Sequence, residues 1–196
     1  MLLRHKKGAS VENRLRDFKN GIIFRRLKQE KPEALDKLVA IPGDISLPML
    51  GIPTKYIKAM ENVSLVIHSA ATVRFDEPLK AAINLNVSAT YEAIKLSKKF
   101  PRLDLFCHIS TFYSNPNLKF VENKLYPPPM DWQTAIKLSE SNIPDETINI
   151  FGKKYIQGFP NTYTFTKNLS ENVVNDHSHL FPVLIVRPSI SKLLVI

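Results

Sequence analysis

The 196-residue chain has few residues of several kinds, and each shortage excludes a class of structure. Its single cysteine, Cys107, excludes an internal disulfide and favours a reducing compartment. No apolar run reaches the roughly 18 residues that a membrane-spanning helix needs. No hydrophobic stretch follows the basic N-terminus, so no signal peptide is predicted. The six glycines form no G-x-G-x-x-G loop of the kind that binds a dinucleotide pyrophosphate.

The chain also has fewer acidic than basic residues. It contains 18 Asp and Glu and 27 Lys and Arg, which gives a net charge of +9. Most of this charge is expected on a solubilising surface. A phosphorylated cofactor or substrate, or an anionic membrane, are the alternatives. Because the basic residues are spread along the chain rather than clustered with aromatics, nucleic acid is not expected as a partner.

Short apolar segments alternate with segments of helical period. This alternation predicts an α/β fold with a parallel sheet covered by helices on both faces. The predicted strands are residues 38–41, 64–67, 105–109 and 182–186 with a stub at 1–4, and the predicted helices are residues 11–28, 78–99 and 163–177. Residues 115–160 break the rhythm, with at most a short helix near Trp132, and predict a loop-rich insertion that is a lid, a binding loop or disordered.

Small or polar residues follow each predicted strand. In an open parallel sheet, ligands bind beyond the carboxyl ends of the strands, so these residues are expected to line one cleft. They are Asp44 after the first strand, Ser69-Ala70-Ala71 after the second, Ser110-Thr111 after the third, and Arg187-Pro188-Ser189 after the fourth.

Tyr163 and Lys167 lie four residues apart in a predicted helix, which places both on one face about one turn apart. An ammonium beside a phenol favours its ionised form, so such a tyrosine can exchange a proton with a carbonyl or alcohol oxygen. By itself, the spacing also fits a solvated helix face. Together with the Thr111 hydroxyl at a cofactor cleft, it indicates carbonyl reduction.

Four strings extend this pattern: residues 66–79 (VIHSAATVRFDEPL), 108–116 (HISTFYSNP), 160–167 (PNTYTFTK) and 186–190 (VRPSI). Through them the chain resembles the insect-type fatty acyl-CoA reductases of the extended short-chain dehydrogenase/reductase superfamily. The resemblance covers roughly residues 2–190. It implies a Rossmann-type, doubly wound parallel sheet that lacks the first strand and its Gly-rich loop. Residues 1–196 would then be a fragment, one partial dinucleotide-binding domain with the insertion at about 115–160.

The resemblance also implies a role for each matching residue. Tyr163 would be the general acid, Lys167 would ease its ionisation and hold the nicotinamide ribose, and Thr111 would hydrogen-bond the reacting carbonyl, with Ser110 as the alternative. The residues implied to bind NADPH are Arg4 with Lys6 or Lys7 at the extra phosphate, Asp44 and Ile45 at the adenine, Ser69, Ala70 and Ala71 along the cofactor, and Pro188 and Ser189 near the nicotinamide.

The implied activity is the NADPH-dependent reduction of a long-chain acyl-CoA to a primary fatty alcohol. Two other hypotheses stay open: another reductase-superfamily enzyme, acting on a nucleotide sugar or a steroid, and a non-catalytic binding protein. The family also implies the membrane of the endoplasmic reticulum or peroxisome, reached through C-terminal segments outside this sequence. Without the Gly-rich loop, the chain alone is expected to bind NADPH poorly and to turn over nothing. No metal site is expected, since the Asp, Glu and His residues show no ligand spacing.

Overall fold

The computed structural model describes residues 1–5 and 8–189. The chain divides into two compact units, Met1–Met60 and Glu61–Ile196. Lys6 and Lys7, which the resemblance places at the cofactor phosphate, lie outside the described residues, as does Ile190.

The first unit contains a pair of two-residue parallel strands, β1 (Leu2–Leu3) and β2 (Ile41–Pro42). β2 starts at the end of the predicted strand 38–41, and Pro42 has no backbone N–H with which to extend a ladder. The predicted helix 11–28 is interrupted. Its helical parts are α1 (Val11–Lys19), capped by the Ser10 hydroxyl, and α2 (Arg25–Glu30), and a helix α3 (Thr54–Ala59) closes the unit.

The second unit contains a three-stranded parallel sheet in the order β3–β4–β5. The strands are β3 (Leu65–His68), β4 (Leu105–Ile109) and β5 (Val183–Val186), all close to their predicted positions. The register places His68 beside His108, and Ile109 beside Val186.

Both sheets are parallel. The α/β class and the parallel arrangement are as predicted.

The predicted helix 78–99 is formed by three consecutive segments. They are α4 (Leu79–Ala82), a π-helical segment (Ile83–Ser88) and α5 (Ala89–Ser97). The helix α8 (Thr162–Asp176) lies where the sequence predicts it and is buried along most of its length. Fully buried side chains of the π-helical segment, α5, β4 and α8 form the core, among them Ile83, Ile94, Phe106, Phe165 and Leu169.

The region 115–160 is more ordered than predicted. It contains the expected helix near Trp132, α6 (Trp132–Glu140), and a second helix that the sequence analysis missed, α7 (Asp145–Tyr155). Asn149 of α7 accepts a hydrogen bond from the Leu79 backbone N–H at 3.1 Å, so this helix caps the start of α4. No helix among the described residues is long and apolar enough to cross a membrane.

Candidate active site

A cavity of about 440 Å³ lies in the second unit, where the loops after β4 and β5 meet the start of α8. Thr111, Tyr163 and Ser189 are among the hydroxyl-bearing residues that line it. Most of the remaining lining is apolar or aromatic, and includes Val73, Phe75, Tyr113 and Pro160. Three residues that the sequence analysis assigned to one cleft therefore do line one cavity.

Tyr163 is placed by the way α8 begins. Asn161 caps the helix by accepting a hydrogen bond from the Thr164 backbone N–H at 2.9 Å. The Thr162 hydroxyl donates to the Glu77 carbonyl at 3.0 Å and ties the first turn to the loop after β3. Tyr163 is consequently half-buried, and its ring centroid lies 5.8 Å from that of Phe75.

The two hydroxyl residues after β4 have different surroundings. Thr111 lines the cavity and caps a short 3₁₀ turn by accepting a hydrogen bond from the Tyr113 backbone N–H at 3.3 Å. The Ser110 hydroxyl is buried and donates to the carboxylate of Glu171 instead. This geometry favours Thr111 over Ser110 as the partner of Tyr163.

Lys167 is buried one helical turn beyond Tyr163, with 3% of its surface exposed. Its Nζ donates to the Ile109 carbonyl at 2.6 Å and lies 3.4 Å from His108 Nε2. Burial lowers the pKa of Lys167 to about 8, and the Glu171 carboxylate partly offsets this effect. The lysine therefore remains a cation at neutral pH but gives up its proton more easily than an exposed lysine does.

The buried carboxylate of Glu171 and the half-buried guanidinium of Arg187 form an ion pair beside this lysine. The Arg187 guanidinium donates Nε to Glu171 Oε1 at 2.9 Å and Nη2 to Oε2 at 2.7 Å, a bidentate arrangement. Arg187 also donates to the carbonyls of Glu122 and Lys124. It thus joins the end of β5, the middle of α8 and the loop at 122–124.

The backbone next to Arg187 continues the β4–β5 pairing. Ser110 N–H donates to the Val186 carbonyl at 2.7 Å, and Phe112 N–H donates to the Pro188 carbonyl at 2.9 Å. Pro188 is therefore held through its carbonyl, and Ser189 follows at the rim of the cavity, exposed to solvent.

The loop after β3 is hydrogen-bonded to Asn86 of the π-helical segment. The Asn86 side chain accepts a hydrogen bond from Thr72 N–H at 2.8 Å and donates to the Thr72 carbonyl at 3.2 Å, as a strand neighbour would. Ser69 and Ala70 are exposed at the tip of β3 and Ala71 is half-buried. Their small side chains leave room for a flat ligand beside the backbone.

The first unit holds the other predicted cofactor residues. Arg4 is largely exposed, and its Nε lies 4.0 Å from the Asp44 carboxylate. Burial opposes ionisation of Asp44, but hydrogen bonds from the Ser46 backbone and hydroxyl, with the Arg4 charge, lower its pKa overall. A Cβ at Gly43 would lie 2.6 Å from the Leu50 backbone carbonyl oxygen, so glycine is required between β2 and Asp44. Ile45 is half-buried.

Sequence reasoning missed several residues of this site. His108, Glu171 and Asn86 are polar residues inside otherwise apolar strand or helix patterns, which is the signal that could have identified them. Val73 and Phe75 are apolar residues in a polar loop, and both are exposed at the cavity, 69% and 64% respectively. Among the described residues, no group of His, Cys, Asp and Glu side chains could hold a metal ion.

Comparison with known proteins places this site in a family. Residues 1–191 match the model of an NAD-binding family described as male sterility protein. The chain belongs to this family. An NAD-binding family implies a nicotinamide dinucleotide as the cofactor class.

Curated relatives of the male sterility protein family are similar over almost the whole chain. The chain is 44% identical to fatty acyl-CoA reductase wat of Drosophila melanogaster, over 97% of this chain and 37% of the relative. It is 36% identical to fatty acyl-CoA reductase 1 of Homo sapiens, again over 97% of this chain and 37% of the relative. The predicted resemblance to fatty acyl-CoA reductases is confirmed, and the chain spans little more than a third of their length.

Solved structures confirm the fold. The terminal R domain of the myxalamid PKS-NRPS pathway matches with a TM-score of 0.69 at 20% identity, over 96% of this chain and 41% of that one. UDP-glucuronic acid 4-epimerase from Bacillus cereus, solved with NAD, matches with a TM-score of 0.50 at 19% identity, over 84% of this chain and 44% of that one. Both support the Rossmann-type assignment.

The second unit fits a nicotinamide cofactor at the tip of β3. Ser69 and Ala70 are small and exposed there, where a cofactor would run along the backbone. The Lys167 ammonium has three N–H donors, and the contacts among the described residues account for two, with Ile109 and His108.

Proposed function

We propose that this chain is the dinucleotide-binding part of a fatty acyl-CoA reductase that uses NADPH to convert a long-chain acyl-CoA to a primary alcohol. One observation carries the proposal: Tyr163 and Thr111, both hydroxyl-bearing residues, line a single cavity whose other walls are mainly apolar. A proton donor and a carbonyl-binding hydroxyl suit carbonyl reduction, and apolar walls suit a fatty acyl group.

The side chains divide the work between them. A nicotinamide bound beside the cavity would supply one hydride in each of two rounds, because converting an acyl-CoA to an alcohol takes two NADPH; loss of the CoA thiol after the first round would leave an aldehyde for the second. Thr111 already accepts a hydrogen bond from Tyr113 N–H, so its own proton is free to donate to the substrate carbonyl oxygen. Tyr163 would protonate that oxygen as negative charge develops on it.

The preference for NADPH is proposed on the position of Arg4 in the first unit. Its guanidinium is largely exposed and at 4.0 Å makes only a loose contact with Asp44. A guanidinium in this state can still bind a phosphate with two hydrogen bonds. Membrane residence in the endoplasmic reticulum or peroxisome rests on the resemblance and stays a prediction.

A nucleotide-sugar epimerase is the second candidate, because such an enzyme shares the fold and the Tyr-x-x-x-Lys pair is common to the superfamily. The cavity walls disfavour it. A sugar would need convergent hydrogen-bonding groups where this site presents Val73, Phe75 and Pro160.

The test uses a longer protein that contains this segment and has the full length of the curated relatives. Given NADPH and a long-chain acyl-CoA, the wild type should form fatty alcohol and release free thiol. Tyr163→Phe should reduce alcohol formation by about 10²-fold or more, since it removes a general acid, and should change NADPH affinity by only a few-fold. Tyr155→Phe, at an exposed tyrosine of α7, is the matched control.

Unchanged turnover in Tyr163→Phe would remove the proposed acid. Conversion of a nucleotide sugar, with no thiol release from acyl-CoA, would support the epimerase instead.

A further inference from the structure

Two histidines are stacked beneath Lys167. His68 on β3 and His108 on β4 are register partners, and their ring centroids lie 5.4 Å apart. Both are buried, and His68 Nε2 lies 3.1 Å from the Thr90 hydroxyl of α5. That hydroxyl donates in turn to the Asn86 carbonyl at 2.6 Å. A chain of contacts therefore runs from α5 through both strands to the lysine on α8.

The charge of Lys167 decides how His108 is protonated. An ammonium has no lone pair and can only donate, so the 3.4 Å approach to His108 Nε2 is a hydrogen bond only if that nitrogen accepts. His108 must then be neutral and carry its proton on Nδ1. Burial, with the Lys167 charge and the neighbouring His68, lowers the pKa of His108 well below its usual value, which agrees with a neutral ring.

We propose that His108 is a positioning residue for Lys167, held as the neutral Nδ1–H tautomer, whose Nε2 accepts one N–H of the ammonium. Together with the Ile109 carbonyl it fixes two of the three N–H donors against β4. The third then has a defined direction, as a ribose hydroxyl requires. The catalytic meaning of this arrangement rests on the proposed reductase function, but the arrangement itself does not.

The other charged and titratable groups around Lys167 act differently. Glu171 on α8 favours the cation, but it is itself paired with Arg187 of the β5 end and with Ser110. His68 on β3 is neutral, because burial and the Lys167 charge lower its pKa to about 3. His108 is thus the imidazole in direct contact with the ammonium.

The His108 Nδ1 atom is buried and has no hydrogen-bond partner among the described residues. In the proposed tautomer this nitrogen carries the proton, and an unpaired buried N–H costs free energy. The assignment therefore rests on the contact of Nε2 with the Lys167 ammonium, which has to offset this cost.

Nitrogen-15 NMR of the 196-residue chain tests the tautomer without any substitution. At pH 7 the His108 imidazole shifts should show a protonated Nδ1 and an unprotonated Nε2. Carbon-13 NMR of the lysine Cε atoms then follows the titration of Lys167, assigned by the loss of its signal in Lys167→Met. His108→Leu removes the acceptor and should lower the Lys167 pKa by about one, a tenfold loss of proton affinity.

Two variants separate this role from packing. His108→Gln keeps an acceptor at similar reach and should hold the Lys167 pKa close to that of the wild type. Cys107→Ala alters the neighbouring buried residue on the opposite face of β4 and should leave it unchanged.

A protonated Nε2 in the wild type would overturn the proposal, as would a folded His108→Leu chain whose Lys167 titrates as before. Since these readouts need neither NADPH nor acyl-CoA, the absence of reductase activity would contradict the proposed function and leave this inference standing.

Discussion

The first turn and the middle of α8 differ sharply in their surroundings. In the first turn, Tyr163 is half-buried and faces a cavity with Val73 and Phe75, which are mostly exposed. In the middle, Lys167 and Glu171 are almost completely buried and hydrogen-bonded to β4, Ser110 and Arg187. The middle of the helix is therefore a preassembled polar support, whereas its first turn is an apolar surface open to a ligand.

Each region holds side chains in surroundings that are unfavourable for them. Buried charges cost free energy that a good ion pair only partly returns, so their presence in the middle of α8 points to a functional requirement. Exposed apolar side chains grouped at one cavity are typical of a surface that another molecule covers. Variants in the two regions should accordingly separate stability from ligand binding.

The largest expected effect on stability comes from breaking the ion pair of the buried Glu171 carboxylate. Arg187→Met leaves the Glu171 carboxylate, 1% exposed, without its cation, and should lower the free energy of unfolding by about 3–5 kcal/mol. Urea denaturation of the 196-residue chain measures this.

The control for Arg187→Met is Arg74→Met at the exposed pair with Asp76, where a change of about 1 kcal/mol or less is expected. Equal losses of unfolding free energy in the two variants would contradict the distinction between the ion pair in the middle of α8 and the exposed pair.

The second effect concerns Lys167 and has a defined pH dependence. Its folded-state pKa of about 8 lies below the ordinary 10.5, so between these values the unfolded chain holds a proton that the folded chain has released. Stability should therefore rise with pH over this window, and below pH 8 the full cost of burying the charge applies. The fall from 10.5 to about 8 corresponds to about 3 kcal/mol.

Lys167→Met should lack this contribution. Its free energy of unfolding, measured from pH 7 to 11, should rise less than that of the wild type by about 3 kcal/mol. Lys153→Met, at an exposed lysine of α7, should follow the wild type. Parallel curves for Lys167→Met and the wild type would show that the lysine is not buried as a charge.

The smallest effect is expected at the open end. Phe75 is 64% exposed, so Phe75→Ala should change the free energy of unfolding by less than about 1 kcal/mol. It should nevertheless weaken binding of a fluorescent C18 fatty acid, cis-parinaric acid, about three- to tenfold, since a buried aromatic contact is lost in the complex. Phe120→Ala, an exposed phenylalanine outside the cavity lining, is the control. Equal binding by both variants would exclude the cavity as an acyl site.

Much of the fold could be predicted because its central elements are locally encoded. β4 is a continuous apolar run, and α8 combines a capping Asn161 with helical period. The helix α7 was missed because its apolar residues are few, and its packing on α4 through Asn149 is a long-range contact. The interruption of the helix 11–28 follows from Asn20 and Gly21, whose effect the apolar period concealed.

The sequence predicts the main residues of the site, but not the buried contacts that hold them in place. The Tyr-x-x-x-Lys spacing and the strand ends indicate Tyr163, Lys167 and Thr111 directly. The resemblance ranks Thr111 above the adjacent Ser110, but the residues themselves do not separate them, since the choice depends on which hydroxyl reaches Glu171, 61 residues away. The same holds for His108, whose contact with Lys167 joins residues 59 apart in the chain.

The most direct test of the account compares the two hydroxyls after β4. In a protein that carries this segment at its relatives' full length, kcat for acyl-CoA reduction is measured for Thr111→Val and Ser110→Ala. Loss of a hydrogen-bond donor at the reacting oxygen predicts that Thr111→Val lowers kcat by about 10²–10³. Ser110→Ala should retain most of kcat, and the reverse result would contradict the site described for this protein.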